Sequence, residues 1–350
     1  MSEQKRAVAL ISGGLDSMLA AKVIMNQGIH VEGVNFYTGF CVEGHTSAIR
    51  NEDKTKKKRN NALWVAETLG IKLHILDVVE EYKEVLLSPK HGYGQNLNPC
   101  LDCKIFMVKK SLAWSFMEEN NFDFIITGEV MGQRPKSQRK ATLPIIARES
   151  GAEELLVRPL SAKHLPPTLP EQKGWIDRSA LYAFHGRNRK PQIKLARDLG
   201  LKDWSQPAGG CCFLTNEGYS NKLSDLWTSK KSRDYELDDI ILLKVGRHLR
   251  PDQKFKLIVA RDEGETNYLN GYKSAYDSLT TISHKGPTAL VDGTTNRQQK
   301  LLAAQIVARY SQGRSANKVT VKLTNKETAT SEEVTVKPFK DQGTLDTWHV

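Results

Sequence analysis

The first half of the chain changes period again and again, and that alternation constrains its fold more than any other feature. Ala7–Ile11 is an apolar run of strand length, and from Ser17 to Gln27 the apolar residues Met18, Leu19, Val23 and Ile24 recur at helical spacing, with Gly28 as a stop. The succession repeats. Val31–Phe36 predicts a strand, Ala62–Leu69 a helix ended by Gly70, and Ile71–Val78 a strand with Ile71, Leu73 and Ile75 alternating. Lys104–Met117 predicts a further helix and Phe122–Thr127 a strand running into Gly128. Strands alternating with helices of this length predict an α/β fold, a doubly wound parallel sheet with helices on both faces. Ligands of such sheets bind at the carboxyl ends of the strands. The segment ISGGLDS, Ile11–Ser17, lies at one of those ends.

A loop that leaves a strand and opens a helix presents free backbone N–H groups at the positive end of the helix dipole, an arrangement suited to phosphate. Gly13 and Gly14 allow close backbone approach, and Ser12 and Ser17 add hydroxyl donors. Asp16 needs a separate reason, because a carboxylate facing a triphosphate repels it unless a divalent cation lies between them. Mg²⁺ is therefore implied. Neither a G-x-x-x-x-G-K-[ST] loop nor a G-x-G-x-x-G fingerprint is present.

Beyond the first half the pattern weakens. RPLSAKHLPPTLPEQKGW is proline-rich, and the basic stretch HGRNRKPQIKLARDLGL carries one helix from Pro191 to Leu199. From about residue 225 the segments IILLKVGRHLR, FKLIVARDE, TALVDG, KVTVKL and EVTVKP read as strands, with Lys300–Tyr310 as the strong helix, so a separate α+β domain is expected. The expected division is residues 1–160, an extension over 161–224, and a last domain over 225–350.

Charge and cysteine usage narrow the function. The 350 residues carry a net charge of +11, which favours a polyanionic partner, nucleic acid before membrane, since no long apolar stretch accompanies it. The apolar run before Gly13 is too short for a secretory signal, so a cytoplasmic location is expected. Five cysteines are too few for a disulfide scaffold in a chain of this length, and their grouping as Cys100 with Cys103 and Cys211 with Cys212 points to metal binding or catalysis. Cys41 stands alone in the sequence and reads as an ordinary small residue.

ISGGLDS resembles the SGGxDS loop of the PP-loop ATP pyrophosphatases, the adenine nucleotide alpha hydrolase superfamily, which split ATP between its α and β phosphates and transfer AMP to a substrate oxygen. The resemblance implies a Rossmann-like PP-loop domain in which Ser12, Gly13, Gly14, Asp16 and Ser17 hold ATP and Mg²⁺, helped by Asn35 with Phe36 and Thr127 with Gly128. NPCLDC is similar to the NPDxxCN segment of the tRNA 2-thiouridylases, with Cys103 at the catalytic cysteine and Cys100 in place of the aspartate. GGCCFLT is similar to the partner segment of that branch, with Cys212, followed by Phe213, as the match; Cys211 has no counterpart there. The branch is similar to tRNA 2-thiouridylases and 4-thiouridine synthetases, and a third thiol beside the pair resembles the tRNA thiolases that hold a [4Fe-4S] cluster on three cysteines, here Cys100, Cys103 and Cys212. Cluster-free persulfide chemistry on Cys103 and Cys212 stays open beside it, as do zinc and inert thiols.

The tail segments VGRHLRPDQKFKLIVARDEGETNYL, SHKGPTALV and AAQIVARYSQGRSANKVTV together resemble the RNA-binding domain of the NFACT family over most of residues 230–325, with Arg247, Arg250 and Arg261 at its characteristic positions. Solvated edge-strand charge is the alternative reading of these arginines. Arg187, Arg189 and Lys190 form a second basic patch and Lys54–Arg59 a third, as phosphate contacts require. The resemblances together imply an ATP-dependent tRNA sulfurtransferase that adenylates a uridine carbonyl and replaces its oxygen with sulfur. Cys103, Cys212 and Asp16 would be catalytic, an external donor such as sulfide or a cysteine desulfurase would bring the sulfur, and tRNA would be the partner. PP-loop amidation of a small acid and a non-catalytic RNA-binding protein are the rival expectations.

Overall fold

The structure is a computed structural model, and it describes residues 4–42, 60–116, 120–205 and 211–350. The basic run Lys54–Arg59 and the double glycine before Cys211 fall outside the described residues. Met1–Cys41 and Arg59–Thr215 belong to one compact unit, and Asn216–Val350 belongs to a second.

The first unit is built on a five-stranded sheet in the order β3-β2-β1-β4-β5, every neighbouring pair parallel. Its strands are β1 Arg6–Leu10, β2 His30–Tyr37, β3 Leu73–Asp77, β4 Phe124–Ile126 and β5 Leu156–Val157. Helices α1 Leu15–Met25, α2 Asn61–Leu69, α3 Val79–Leu87, α4 Cys100–Ser115, α5 Thr142–Glu149, α6 Leu169–Gln172 and α7 Lys190–Asp198 accompany them. Alternation along β1 explains why both faces are covered: Ala7, Ala9 and Ile11 join the core under α1 and α2, whereas Val8 and Leu10 join the core that includes Val108 of α4 and Ile146 of α5. Each expected strand and helix of this half exists, with ends displaced by a few residues; α4, for instance, starts at Cys100 rather than at Lys104.

The strand order places a topological switch beside β1, whose two neighbours, β2 and β4, are reached by connections running to opposite sides. The loop Ile11–Gly14 leaves β1 at that point, and Thr127–Gly128 leaves β4 next to it, in the register Ala9↔Ile126. A ligand crevice at the carboxyl edge follows from this order.

The second unit is a six-stranded antiparallel sheet in the order β11-β10-β8-β9-β7-β6. Its strands are β6 Arg247–Asp252, β7 Phe255–Val259, β8 Asp277–Thr281, β9 Thr288–Gly293, β10 Val319–Thr324 and β11 Ser331–Val336. Helices α8 Glu217–Lys230, α9 Leu237–Leu242, α10 Glu263–Asn270, α11 Arg297–Arg309 and α12 Gln342–Thr347 complete it. Ala303, Ala304, Ile306 and Val307 of α11 share a core with Leu257, Leu279, Val291 and Val321 of the sheet. One expectation is corrected, and one strand goes beyond the expected set. Ile240–Leu242, read as the start of a strand, is helical because Glu236 and Asp239 form a capping box and put carboxylates at the helix start. DSLTT forms the interior strand β8 although its composition is too polar to announce one.

Candidate active site

The loop after β1 is shaped by its own short contacts. Gly13 takes φ +78, a left-handed conformation that a side chain would strain, and Gly14 is the N-cap of α1. The Ser17 hydroxyl donates to the Gly14 carbonyl at 2.8 Å and accepts from the Ser12 amide at 3.3 Å, while Ser205, a residue the sequence pattern does not single out, donates its hydroxyl to the Gly13 carbonyl at 2.6 Å. Gly128 packs so tightly on α1 that a Cβ there would lie 2.4 Å from the carbonyl carbon of Asp16.

Asp16, in the first turn of α1, is the chemical centre of the loop. Burial raises its pKa; Gln133, donating to Oδ2 at 2.6 Å, and the charges of Arg189 and Arg134 act against that shift. Its other oxygen, Oδ1, is buried with no hydrogen-bond partner among the described residues. An orphaned carboxylate oxygen at a helix start fits a divalent cation, so the residues present fit the expected Mg²⁺.

The two positions expected at the end of β2 have structural duties. Asn35 donates through Nδ2 to the carbonyl of Ile11 at 2.7 Å, tying β2 to the loop. Phe36 is a correction: its ring is 6% exposed and belongs to the core with Val8, Val34 and Val108, so the side chain is not turned toward a nucleotide. After β4, the Thr127 hydroxyl donates to Glu129, which is buried against Arg158 (Nε to Oε2, 2.8 Å). Burial alone would raise the Glu129 carboxyl, but Arg158 and Lys104 hold it below its usual range. This ion pair was not foreseen, since nothing in TGEV or LLVRP announces it.

The thiols form a second cluster in the same unit. Cys100 and Cys103 lie one turn apart at the start of α4, with Asn98 donating to the Cys100 sulfur at 3.0 Å. Asn96 reaches across to the carbonyl of Thr215 at 2.9 Å, and the Phe213 amide donates to the carbonyl of Phe40 at 2.9 Å, so the second cysteine segment is stitched to both the first and the end of β2. Cys41 therefore does not stand alone: it bridges Cys212 through an isolated antiparallel β contact.

The thiols differ in character. Burial pushes Cys103 up to about 12, opposed by the hydroxyl of the fully buried Tyr82, which donates to its sulfur. Burial also raises Cys100. Cys211, which the family pattern does not include, is exposed and is held as the thiolate by a hydrogen bond from Cys212 and by the charges of Arg134 and Lys104; Cys212 correspondingly keeps its proton.

Among the described residues no three Cys, His, Asp or Glu side chains converge where a metal ion could sit. The structure therefore does not show the expected [4Fe-4S] cluster.

Arg134 links the two clusters. It lies within electrostatic reach of Asp16 and also of Cys100 and Cys211. Lys104 is felt by Cys103, Cys211 and Glu129.

The expected RNA-contacting arginines separate. Arg187 is exposed, whereas Arg189 has its Nε buried and acts on Asp16 at the loop, which removes it from the surface patch. In the second unit Arg250 forms a two-pronged pair with Asp225 (Nη2 to Oδ2, 2.8 Å), in a network that includes the buried Lys256 and Asp292. Arg247 donates to the Ala260 carbonyl at 3.2 Å and lies over the Tyr310 ring; Arg261 donates to the Gly246 carbonyl at 2.5 Å. All three are thus engaged by protein acceptors, and they brace β6 and β7.

A loop of this shape at the switch point of a parallel sheet, followed by an antiparallel α+β unit, defines a nucleotide-binding α/β protein with an appended domain. Residues 5–150 match the family described as the tRNA methyl transferase HUP domain, and residues 246–349 match the NFACT protein RNA binding domain. The chain is thus similar in its first part to a tRNA-modifying HUP domain and in its last part to an NFACT-type RNA-binding domain. Neither match includes Arg187, Arg189, Cys211 or Cys212. The tRNA-specific 2-thiouridylase MnmA of Mesoplasma florum is 28% identical over 263 residues, covering 70% of this chain and 65% of that protein. The protein of the same name from Pelobacter propionicus is 32% identical over 129 residues, covering 35% of this chain and 33% of its own length. The chain spans less than two thirds of the length of these relatives. A solved 4-thiouridine synthetase–RNA complex with bound ATP covers 56% of this chain and 52% of its own at 21% identity, with a TM-score of 0.34. Among the described residues no helix is long and apolar enough to cross a membrane.

Proposed function

We propose that the chain is an ATP-dependent tRNA sulfurtransferase that activates a uridine carbonyl by adenylation and exchanges its oxygen for sulfur. The observation that carries this reading is the position of Arg134, within electrostatic reach of both Asp16 and the thiols Cys100 and Cys211. Activation and sulfur delivery must happen at one carbon, so the nucleotide loop and the sulfur carriers have to share a cleft.

The amides and hydroxyls of Ser12–Ser17 would hold the phosphates of ATP, with Asp16 turned to Mg²⁺, which when bound neutralises charge on the departing pyrophosphate. The uridine oxygen attacks the α-phosphorus and pyrophosphate leaves, converting a poor leaving group into AMP. Sulfur arrives from an external donor as a persulfide on Cys212. Its terminal sulfur attacks the activated carbon and AMP leaves with the oxygen, giving a mixed disulfide between tRNA and Cys212. Cys103 then attacks the Cys212 sulfur, which releases the thiocarbonyl product and leaves a Cys103–Cys212 disulfide, to be reduced by an external dithiol. The RNA-binding domain would supply affinity for tRNA through its exposed cations, and that affinity would fall with salt.

Mass spectrometry of tRNA nucleosides from a deletion strain tests the reading. One thionucleoside should disappear and return with the wild-type gene, but not with Cys103→Ser or Cys212→Ser. Persistence of every thionucleoside at its normal level would refute it. Iron and sulfide measured on the anaerobically purified chain decide the carrier: stoichiometric iron would replace the persulfide with a cluster.

A further inference from the structure

Three buried side-chain atoms on residues linked to Asp16 by hydrogen bond or charge lack hydrogen-bond partners among the described residues: Asp16 Oδ1 itself, Arg189 Nε and Gln192 Oε1. They come from segments more than 170 positions apart, and they are joined. Gln192 donates through Nε2 to Oε1 of Gln133 at 3.1 Å, and Gln133 donates to Asp16 Oδ2 at 2.6 Å, a relay that fixes the carboxylate. Gln192 is 1% exposed, and Arg189, the N-cap of α7, lies close enough to Asp16 to lower its pKa.

A buried guanidinium N–H without an acceptor and, within electrostatic reach of it, a buried carboxylate oxygen without a donor each forgo hydrogen-bond energy. The arrangement is complete only with a ligand that gives Arg189 an anionic oxygen and Asp16 a cation. A metal-complexed phosphate has both. The helix start at Lys190 adds partial positive charge on the same side.

On the reading of the loop as a nucleotide site, we propose that Arg189 and the first turn of α7 hold the pyrophosphate portion of Mg·ATP opposite the loop amides, with Gln133 and Gln192 as positioning residues for Asp16. Arg189 is then part of the nucleotide site and not of the RNA-contacting surface, although it stands between the exposed Arg187 and Lys190 in HGRNRK. Sequence separates these three no further, whereas burial does.

Calorimetric titration of the full chain with Mg·ATP, Mg·pyrophosphate and AMP tests the assignment without reference to turnover. Arg189→Gln should weaken Mg·ATP and Mg·pyrophosphate at least tenfold and leave AMP within twofold, and Arg189→Lys should recover part of the loss. In parallel, tRNA affinity and its salt slope should be unchanged in Arg189→Gln and reduced in Arg187→Gln. If Arg189→Gln does not fold, as judged by circular dichroism, Arg189→Lys carries the test with a smaller, same-direction loss for pyrophosphate. Undiminished pyrophosphate binding by the variants, or a loss confined to tRNA, would overturn the role of Arg189 while leaving the thiolase reading in place. A wild-type chain that binds neither Mg·ATP nor Mg·pyrophosphate would overturn both.

Discussion

Replacing Gly128 by alanine puts the claimed juxtaposition of β4 and α1 to a direct test. The added Cβ would lie 2.4 Å from the carbonyl carbon of Asp16, 2.5 Å from its oxygen and 2.5 Å from the Ser17 amide nitrogen. All three are backbone atoms, so no side chain can swing aside. Ordinary contact begins at 3.4 Å, and the loop must therefore retreat by about 1 Å. Overpacking of this kind costs about 1–3 kcal/mol of stability. The functional loss should be larger, because a shift of about 1 Å in a positioned group costs roughly 100-fold in rate. Gly14→Ala is the contrast: Gly14 is extended at φ −85, ψ 157, and its Cβ would meet only the Ser12 hydroxyl, at 3.5 Å. It should cost under about 1 kcal/mol, as for a change at an N-cap. Urea unfolding followed by fluorescence and titration with Mg·ATP would measure both variants. If Gly128→Ala unfolds and binds nucleotide like the wild type, the close packing of strand end on helix start is wrong, and with it the geometry of the loop.

Three further outcomes follow from the charges and thiols. Breaking the buried Glu129–Arg158 pair with Glu129→Gln should cost about 3–5 kcal/mol in urea unfolding, whereas Glu129→Leu with Arg158→Met should cost less than either single change; an additive double variant would argue against coupling. Iodoacetamide at pH 6.5 with peptide mapping should modify Cys211 first and Cys103 last, and Arg134→Gln should slow the reaction at Cys211; early labelling of Cys103 would contradict the burial of its thiol. Cys103 titrates at about 12 in the folded chain, above its unfolded value of 9.0, so its contribution to stability is complete below pH 9 and declines as pH rises toward 12. Unfolding measured at pH 8 and pH 10 should show that decline, about 1.4 kcal/mol per pH unit at most, and Cys103→Ser should flatten it.

What could be read from the sequence is what chemistry encodes within a few consecutive residues. The loop Ile11–Ser17 is such a case, because its strand, glycines and helix start are contiguous and their meaning does not depend on the rest of the fold. Cys100 and Cys103 are another, one helical turn apart. The misreadings arise where neighbours distant in sequence decide the outcome. Phe36 follows a residue that does reach the loop, but alternation along β2 sends it to the opposite face and into the core. Arg250 is positively charged in any reading, yet Asp225, 25 positions earlier, has already engaged it. Ser205 and Tyr82 carry no local signature and Arg189 reads only as one charge in a basic patch; each takes its meaning when the fold sets it against Gly13, Cys103 or Asp16.

That division has a consequence for the thiol cluster. Cys211 has no place in the family pattern, which rests on the sequence around single cysteines, but the fold lowers its thiol pKa through the hydrogen bond from Cys212, helped by the charges of Arg134 and Lys104. An exposed thiolate beside a protonated Cys212 is the more nucleophilic member of the pair at neutral pH. On the proposed thiolation chemistry the persulfide is carried by Cys212, so the Cys211 thiolate stands beside the carrier as the thiol most open to alkylation. A pattern built on one cysteine counts these two residues as one, whereas the fold shifts their thiols in opposite directions.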